Sequence, residues 1–289
     1  MQQRRLAGRP VSAIGLGAMP LSIGERPDEE RALRTVHAAL DAGVTLIDTA
    51  DAYCLGHREV GHNERLVAKA LAAYGGNVDD VLVATKGGHT RPPDDSWGLD
   101  GSPAYLRSAC EASLRALGVE AIGLYQYHRP DPAVPYAESI GALEELRQEG
   151  KIQLVGISNA DVDQIELAMQ TTQLAAVQNE FSPAFRSSRA ELDLCARHGI
   201  AFLPWSPLGG MSAAATLGDA HVAFADVARK RGVSPQQVCL AWELAQADVV
   251  LPIPGASRPE SITDSAAAAD LELSADELSR LDAGHGHAG

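Results

Sequence analysis

The stretch Val44-Thr45-Leu46-Ile47-Asp48-Thr49-Ala50-Asp51-Ala52-Tyr53 decides the fold. Its first half is a run of apolar and β-branched residues without strict alternation, which marks a strand covered on both faces, as in a parallel sheet. Before it, residues 28–42 place Ala32, Leu33, Val36, Ala39 and Leu40 at helical spacing, and Gly43 supplies the stop. A doubly wound sheet would follow its first strand with a glycine-rich phosphate loop. Here the strand runs instead into Ala50-Asp51-Ala52-Tyr53. The earlier Gly15-Leu16-Gly17-Ala18-Met19-Pro20 has proline where the third glycine should stand, so it reads as a turn.

Seven further strands are expected downstream, at 81–86, 122–128, 152–159, 175–180, 201–207, 249–254 and 270–273. Helical patterns separate them. Leu66, Val67, Ala70 and Leu71 form one apolar stripe. Ser102-Pro103 caps a helix carrying Leu106, Cys110, Leu114 and Leu117. Residues 139–149, 161–169 and 188–198 continue the series. Ser234-Pro235 opens another helix, and 274–281 closes the chain. Eight strands with helices between them are the count of a (β/α)8 TIM barrel. The expectation is one such barrel domain over residues 1–289. A short N-terminal β-hairpin, residues 4–17 centred on Ala7-Gly8-Arg9-Pro10, would cover one end, and residues 284–289 would form a mobile tail.

Composition narrows the function. At 45% hydrophobic residues the chain can bury a large core, which excludes disorder as its main state. There are 38 Asp+Glu against 24 Lys+Arg, a net charge of −14. A nucleic-acid backbone would be repelled without a basic patch, and Arg4-Arg5 and Arg229-Lys230-Arg231 are short and isolated. The four cysteines form no CxxC pair and fit reduced thiols. No run is long enough to cross a membrane, and residues 1–10 lack an apolar signal core, so a soluble, cytoplasmic protein is expected. His57 with His62, and His285 with His287, lie close in sequence but have no convincing ligand set, so no metal is expected.

Barrels of this kind carry their chemistry at the C-terminal ends of the strands. Those ends read Asp48, with Asp51 and Tyr53 beyond it, then Lys86, His128, Ser158-Asn159, Gln178 with Glu180, and Trp205-Ser206-Pro207. A phenol is a poor acid at neutral pH, but an adjacent ammonium stabilises the phenolate. A carboxylate would hold that ammonium, and an imidazole could orient a carbonyl oxygen. Asp48, Tyr53, Lys86 and His128 therefore suit proton delivery to a developing alkoxide, with hydride from elsewhere. Trp97, in the Pro/Asp/Gly-rich loop 90–101, and Tyr127 are candidate walls of a substrate pocket.

The sequence resembles the aldo-keto reductase family. The resemblance is carried by Asp48-Thr49-Ala50-Asp51-Ala52-Tyr53, Ala84-Thr85-Lys86-Gly87-Gly88, Leu124-Tyr125-Gln126-Tyr127-His128-Arg129-Pro130-Asp131 and Gly156-Ile157-Ser158-Asn159. Val177-Gln178-Asn179-Glu180, Trp205-Ser206-Pro207-Leu208-Gly209 and Ile253-Pro254-Gly255-Ala256-Ser257 follow in the family's order. It implies Tyr53 as proton donor, Lys86 as its modulator, Asp48 as the lysine's partner and His128 as the group orienting the carbonyl. It further implies NADPH as cofactor, with NADH bound more weakly, and neither metal nor flavin. Ser158, Asn159 and Gln178 would bond the nicotinamide carboxamide, and Trp205 would stack on its ring. The backbone at Ser206, Leu208 and Gly210 would follow the pyrophosphate, and Ser257 and Arg258 would meet the 2′-phosphate. Many members carry a Lys-Ser pair where Gly255-Ala256 stands here, and Arg and Asn where Ser261 and Ser265 stand. Arg258 is the sole cation of that stretch, so a narrower NADPH preference is expected. The implied reaction is reduction of an aldehyde or ketone, a small-molecule carbonyl. The same residues run in reverse would serve an alcohol or sugar dehydrogenase, and some relatives of this fold resemble cofactor-sensing regulatory subunits.

Overall fold

The computed structural model describes residues 1–283; the expected tail at 284–289, with His285 and His287, lies outside the described residues. A parallel sheet runs Leu16–Gly17, Leu46–Asp48, Leu82–Gly87, Ile122–Tyr127, Ile152–Ser158, Leu174–Gln178 and Ala201–Phe202, each strand paired to the next. Residues 250–255 close the circle. Val250 bridges Phe202 and Gly255 bridges Gly17, both parallel. The Gly15 and Gly17 amides donate to the carbonyls of Pro252 and Pro254, each at 2.9 Å. Pro252 and Pro254 have no N–H to return on the Gly17 side, and Pro204 has none on the Phe202 side, which explains single bridges where a ladder would otherwise form. The result is a (β/α)8 barrel.

The strand count is as expected, but the phase differs by one unit. Residues 16–17, read as a turn, are the first barrel strand. A Cβ at Gly17 would stand 2.7 Å from the Ile253 carbonyl oxygen, so glycine is what lets the closing segment approach. Residues 270–273, read as the eighth strand, form none: Ala268–Asp270 is a 3-10 turn, and the residues after it pair with no strand among the described residues. Leu271 and Leu273 are half-buried and flank the exposed Glu272, a pattern of surface packing and not of a strand covered on both faces. The helices following the eight strands are Glu29–Asp41, His62–Ala73, Pro103–Leu117, Tyr136–Gln148, Val162–Thr171, Arg189–His198, Pro235–Leu244 and Pro259–Ala267. The sequence reading missed Val222–Arg231, which buries Phe224, Val227 and Ala228 ahead of Pro235–Leu244.

Caps set several helix starts. The Asp28, Ser102, Asp161 and Ser234 side chains accept from the backbone N–H three residues on, at 2.8, 3.3, 2.9 and 3.0 Å. Gly43 takes φ 84° to end Glu29–Asp41.

The hairpin pairs Gln3–Leu6 with Arg9–Ser12 through Ala7 (φ 48°) and Gly8 (φ 83°), a two-residue turn with positive φ at both positions. It ends five residues earlier than expected, because the chain must turn into the first barrel strand. Leu6 and Val11 are fully buried against Leu46, Leu82, Leu124 and Leu251, which plugs the N-terminal end. Arg4 fixes the plug by donating to the Leu244, Ala247 and Val250 carbonyls at 2.6–2.7 Å.

The strand period of two then separates apolar from polar layers. Leu46 leads to Asp48, Leu82 and Ala84 to Lys86, Leu124 to Gln126, Gly156 to Ser158, and Ala176 to Gln178. The lower members form a dry core around the hairpin, and the upper members form a polar floor at the C-terminal mouth.

Candidate active site

On that floor, Lys86 is fully buried and its Nζ donates three ways: to Asp48 Oδ2 at 2.6 Å, to the Thr49 carbonyl at 2.8 Å and to Tyr53 Oη at 3.1 Å. The other carboxylate oxygen of Asp48 accepts from Gln178 Nε2 at 2.8 Å and from Gln126 Nε2 at 3.3 Å. A buried ion pair is costly to desolvate unless its remaining lone pairs and protons are satisfied, and here they are. Tyr53 and His128 meet edge to face, ring centroids 5.7 Å apart.

The electrostatics follow from burial and charge. Burial works against the Lys86 ammonium, but Asp48 and Tyr53 outweigh it and hold its pKa above the ordinary lysine value. Burial pushes the Tyr53 hydroxyl up; Lys86 pulls it down and Asp48 pushes it up, leaving it above the ordinary phenol range. The lysine thus acts in the expected direction, but desolvation exceeds it. Burial, followed by the charges of Lys86 and Arg129, drives the His128 pKa well down, so the imidazole is neutral at physiological pH. Its Nδ1 is buried without a partner among the described residues.

A cleft of about 730 Å³ opens above the floor. Asp48, Tyr53, His128, Ser158, Asn159, Gln178, Trp205, Ser206, Leu208, Gly210, Ser257 and Arg258 all line it; Lys86 lies beneath, behind Asp48 and Tyr53. Some donors are already committed. Ser158 Oγ donates to the Gln178 carbonyl at 2.7 Å, and Asn159 Nδ2 to the His128 carbonyl at 3.0 Å. Gln178 spends its amide nitrogen on Asp48. Asn159 (φ 57°) and Ser206 (φ 51°) hold left-handed backbone, and Gly209 and Gly210 follow at φ 83° and 95°, so the wall beside Trp205 is shaped by unusual dihedrals. The Trp205 indole Nε1 is buried with no partner among the described residues. At the far end, Arg258 precedes Pro259–Ala267 and donates to Ser261 Oγ at 3.2 Å.

Trp97 does line the cleft, stacked on His89 at 4.5 Å; Tyr127 does not, being buried beneath with its hydroxyl accepting from the Asp131 amide at 2.8 Å. The sequence reading gave no role to Gln126, although a lone amide in an apolar strand was a visible signal. It also missed His89, Arg129 and Glu260, which line the cleft from the short strand His89–Thr90, a loop and a helix start respectively. Asp51 does not face the cleft. It is buried near Glu64 behind the lysine, and desolvation pushes its pKa well up. His57 Nδ1 pairs with Asp95 and His62 Nδ1 with Ser22 Oγ. Among the described residues no group of three or more His, Cys, Asp or Glu is placed to hold a metal, and no helix is long and apolar enough to cross a membrane.

An eight-stranded α/β barrel with a Lys–Asp pair under a tyrosine at its C-terminal mouth defines a narrow class of protein. The chain belongs to the aldo/keto reductase family, whose sequence profile matches residues 13–284. It is 35% identical over 278 residues to an uncharacterized oxidoreductase of Schizosaccharomyces pombe, covering 94% of this chain and 86% of that one. Among solved structures it superposes on a glycerol dehydrogenase from Gluconobacter oxydans with a TM-score of 0.82 and 28% identity, covering 98% of this chain and 94% of that one. An aldo-keto reductase from Klebsiella pneumoniae, crystallised with NADPH, matches with a TM-score of 0.81 and 29% identity, covering 98% and 95%. The protein is therefore an oxidoreductase of this family.

Proposed function

We propose that the protein reduces an aldehyde or ketone to the alcohol with NADPH, Tyr53 giving the proton. The observation that carries this reading is the Lys86 Nζ to Tyr53 Oη hydrogen bond of 3.1 Å, on a lysine that Asp48 keeps charged. NADPH fits the cleft. The cavity is lined by Tyr53 and His128 and also by Ser257, Arg258 and Glu260 at the positive N-terminus of Pro259–Ala267, which suits an anionic group. Gly210 lines the cleft without a side chain, and the NADPH-bound relative supports the choice. Ser158, Asn159, Gln178 and Trp205 would hold the nicotinamide end. When bound, the cofactor supplies hydride to the carbonyl carbon.

The chain's own residues do the rest. Tyr53, protonated because burial raises its pKa, donates a hydrogen bond to the carbonyl oxygen and gives up its proton as negative charge develops there. Lys86 becomes most favourable when the phenolate forms, so its interaction is strongest where it accelerates the step. Neutral His128 offers an N–H donor to the same oxygen without competing for the proton. The test is NADPH consumption by wild type and Tyr53→Phe over a panel of aldehydes and ketones. Equal rates in the two proteins would remove Tyr53 from the chemistry. Alcohol oxidation by the same residues is a second reading, supported by the likeness to a glycerol dehydrogenase; NADP+ with a polyol panel tests it.

A further inference from the structure

The substrate end of the cleft is walled by Tyr53, His89, Trp97, His128 and Arg129. The cations around it differ in how they are held. Lys86 is spent on Asp48, Thr49 and Tyr53. Arg91 is not among the lining residues: its guanidinium donates to the Leu55 carbonyl at 2.6 Å and lies 4.3 Å from the Trp97 ring centre, and its buried Nε has no partner among the described residues. Arg129 is half-buried at the cleft wall and has neither an ion pair nor a side-chain hydrogen bond among the described residues. It lines the same cleft as Tyr53, His89 and His128, and its charge acts on all three and on Glu180.

The groups facing Arg129 do not neutralise it. His89 is uncharged at neutral pH, its pKa brought down to about 4 by burial and by Arg129 and Arg91. Glu180 is partly buried and forms no ion pair with Arg129 among the described residues. Asp48 already has Lys86. In a chain with 38 acidic residues, a guanidinium left without a carboxylate beside the proton donor is available for one from outside.

We propose that Arg129 receives the carboxylate of the substrate, so that the preferred carbonyl compounds are oxo acids and not neutral aldehydes. This rests on the carbonyl-reductase reading of the same cleft and names its substrate class. One cation lining this end of the cleft matches a monovalent carboxylate; a phosphate dianion would call for a second, and Arg91 is not among the lining residues. Arg258, which also lines the cleft, forms no ion pair among the described residues and is left for the cofactor's phosphate.

The test compares 4-carboxybenzaldehyde with its amide, 4-formylbenzamide, at saturating NADPH. The two differ little in size, and the ionised carboxylate withdraws less than the amide, so intrinsic reactivity favours the amide and a preference for the acid has to come from binding. Wild type is expected to favour the acid in kcat/KM by about 10-fold or more, mostly through KM, with the advantage shrinking as salt rises. Arg129→Leu and Arg129→Gln should lower the acid-to-amide ratio by about 10- to 100-fold, and Arg129→Lys should recover part of it. A merely structural arginine would slow both substrates together and leave the ratio unchanged. A wild-type ratio near one, an unchanged ratio in both neutral variants, or a stronger preference for glyceraldehyde 3-phosphate over glyceraldehyde than for the acid over the amide would overturn the proposal while leaving carbonyl reduction intact. Failure to turn over either benzaldehyde or any other carbonyl would overturn both.

Discussion

The two ends of the cleft are built on opposite principles. At the Tyr53 end every polar atom of Lys86 and Asp48 is paired, and both side chains are buried. At the Arg258 end the guanidinium is exposed and held by one 3.2 Å bond to Ser261. Proton transfer gains from donors fixed before the reaction, because reorienting them during it would raise the barrier. Capture of a charged group tolerates a mobile arm, since charge attracts over several ångströms and the fork of an arginine settles on contact. The catalytic end should therefore fail sharply when altered, and the far end by degrees.

The largest effects are expected where the network is fully satisfied. Tyr53→Phe should lower turnover by roughly two to four orders of magnitude while cofactor titration stays near wild type. Lys86→Met should do similar damage. It should also destabilise the fold by about 3–5 kcal/mol in a denaturant titration, since Asp48 would be left buried and unpaired. Its pH profile carries the sign. Lys86 lowers the Tyr53 pKa, so removing it raises that pKa further. The protonated donor exists below its pKa, so the alkaline fall in the residual reduction rate should move to higher pH. A fall that moves to lower pH would break the proposed coupling.

His128→Ala should come next, with kcat/KM for carbonyls down by about 10- to 100-fold, the worth of one well-placed donor, and with less effect on NADPH affinity. Because burial and Lys86 hold the His128 pKa well below its ordinary value, the neutral form persists far into acid. The wild-type profile should then show no titration near the usual histidine value of about 6.5. A limb at that pH, lost in His128→Ala, would contradict a neutral imidazole. Cofactor binding weakened with kcat/KM unchanged would move His128 to the cofactor.

What could be read from sequence followed the same division. Asp48, Lys86 and His128 stand at the ends of apolar runs, so their chemistry was visible as a break in pattern. Gln126 breaks the same pattern in register with Lys86, but its partner Asp48 is 78 residues away and only the barrel brings them together. The first strand escaped because Leu16–Gly17 is two residues long and owes its place to Pro252 and Pro254 across the seam, a long-range reason that leaves no local periodicity. Residues 270–273 were expected as a strand, but Leu271 and Leu273 are only half-buried on either side of the exposed Glu272, and four residues are too few for periodicity to tell a strand from a segment packed on the core. His89 lies on a two-residue strand paired with Gly98–Leu99, and Arg129 and Glu260 sit outside strands; in such short or irregular pieces spacing carries little information.

At the far end the expected effect is moderate. Arg258→Ala should weaken NADPH by about 10- to 100-fold and leave NADH nearly unchanged, as expected for loss of a charge-assisted contact to the 2′-phosphate. The margin should narrow with salt, because the side chain is exposed. Equal losses for the two cofactors would mean that Arg258 supports the fold or the pyrophosphate and does not read the 2′-phosphate.

The smallest effect sharpens the same end. Glu260 lies in the first turn of Pro259–Ala267, lines the cleft near Arg258 and is exposed. A carboxylate there suits the helix N-terminus but opposes a 2′-phosphate arriving at the same place. The other acidic group on this wall, Asp264, is already bonded to Ser234 and Gln237, each at 2.6 Å, which leaves Glu260 as the nearer free opponent. Glu260→Gln keeps the shape and removes the charge. Exposed charge pairs are worth about 0.2–1 kcal/mol, so NADPH should bind roughly 1.5- to 5-fold tighter while NADH changes less. The gain should fade at high salt and vanish in Arg258→Ala if the glutamate acts by weakening the arginine's hold. If it persists in that background, Glu260 acts on the phosphate directly. Titration of both cofactors against wild type, the two single variants and the double variant separates these routes, and tighter NADH binding of equal size would show that the carboxylate does not distinguish the two cofactors.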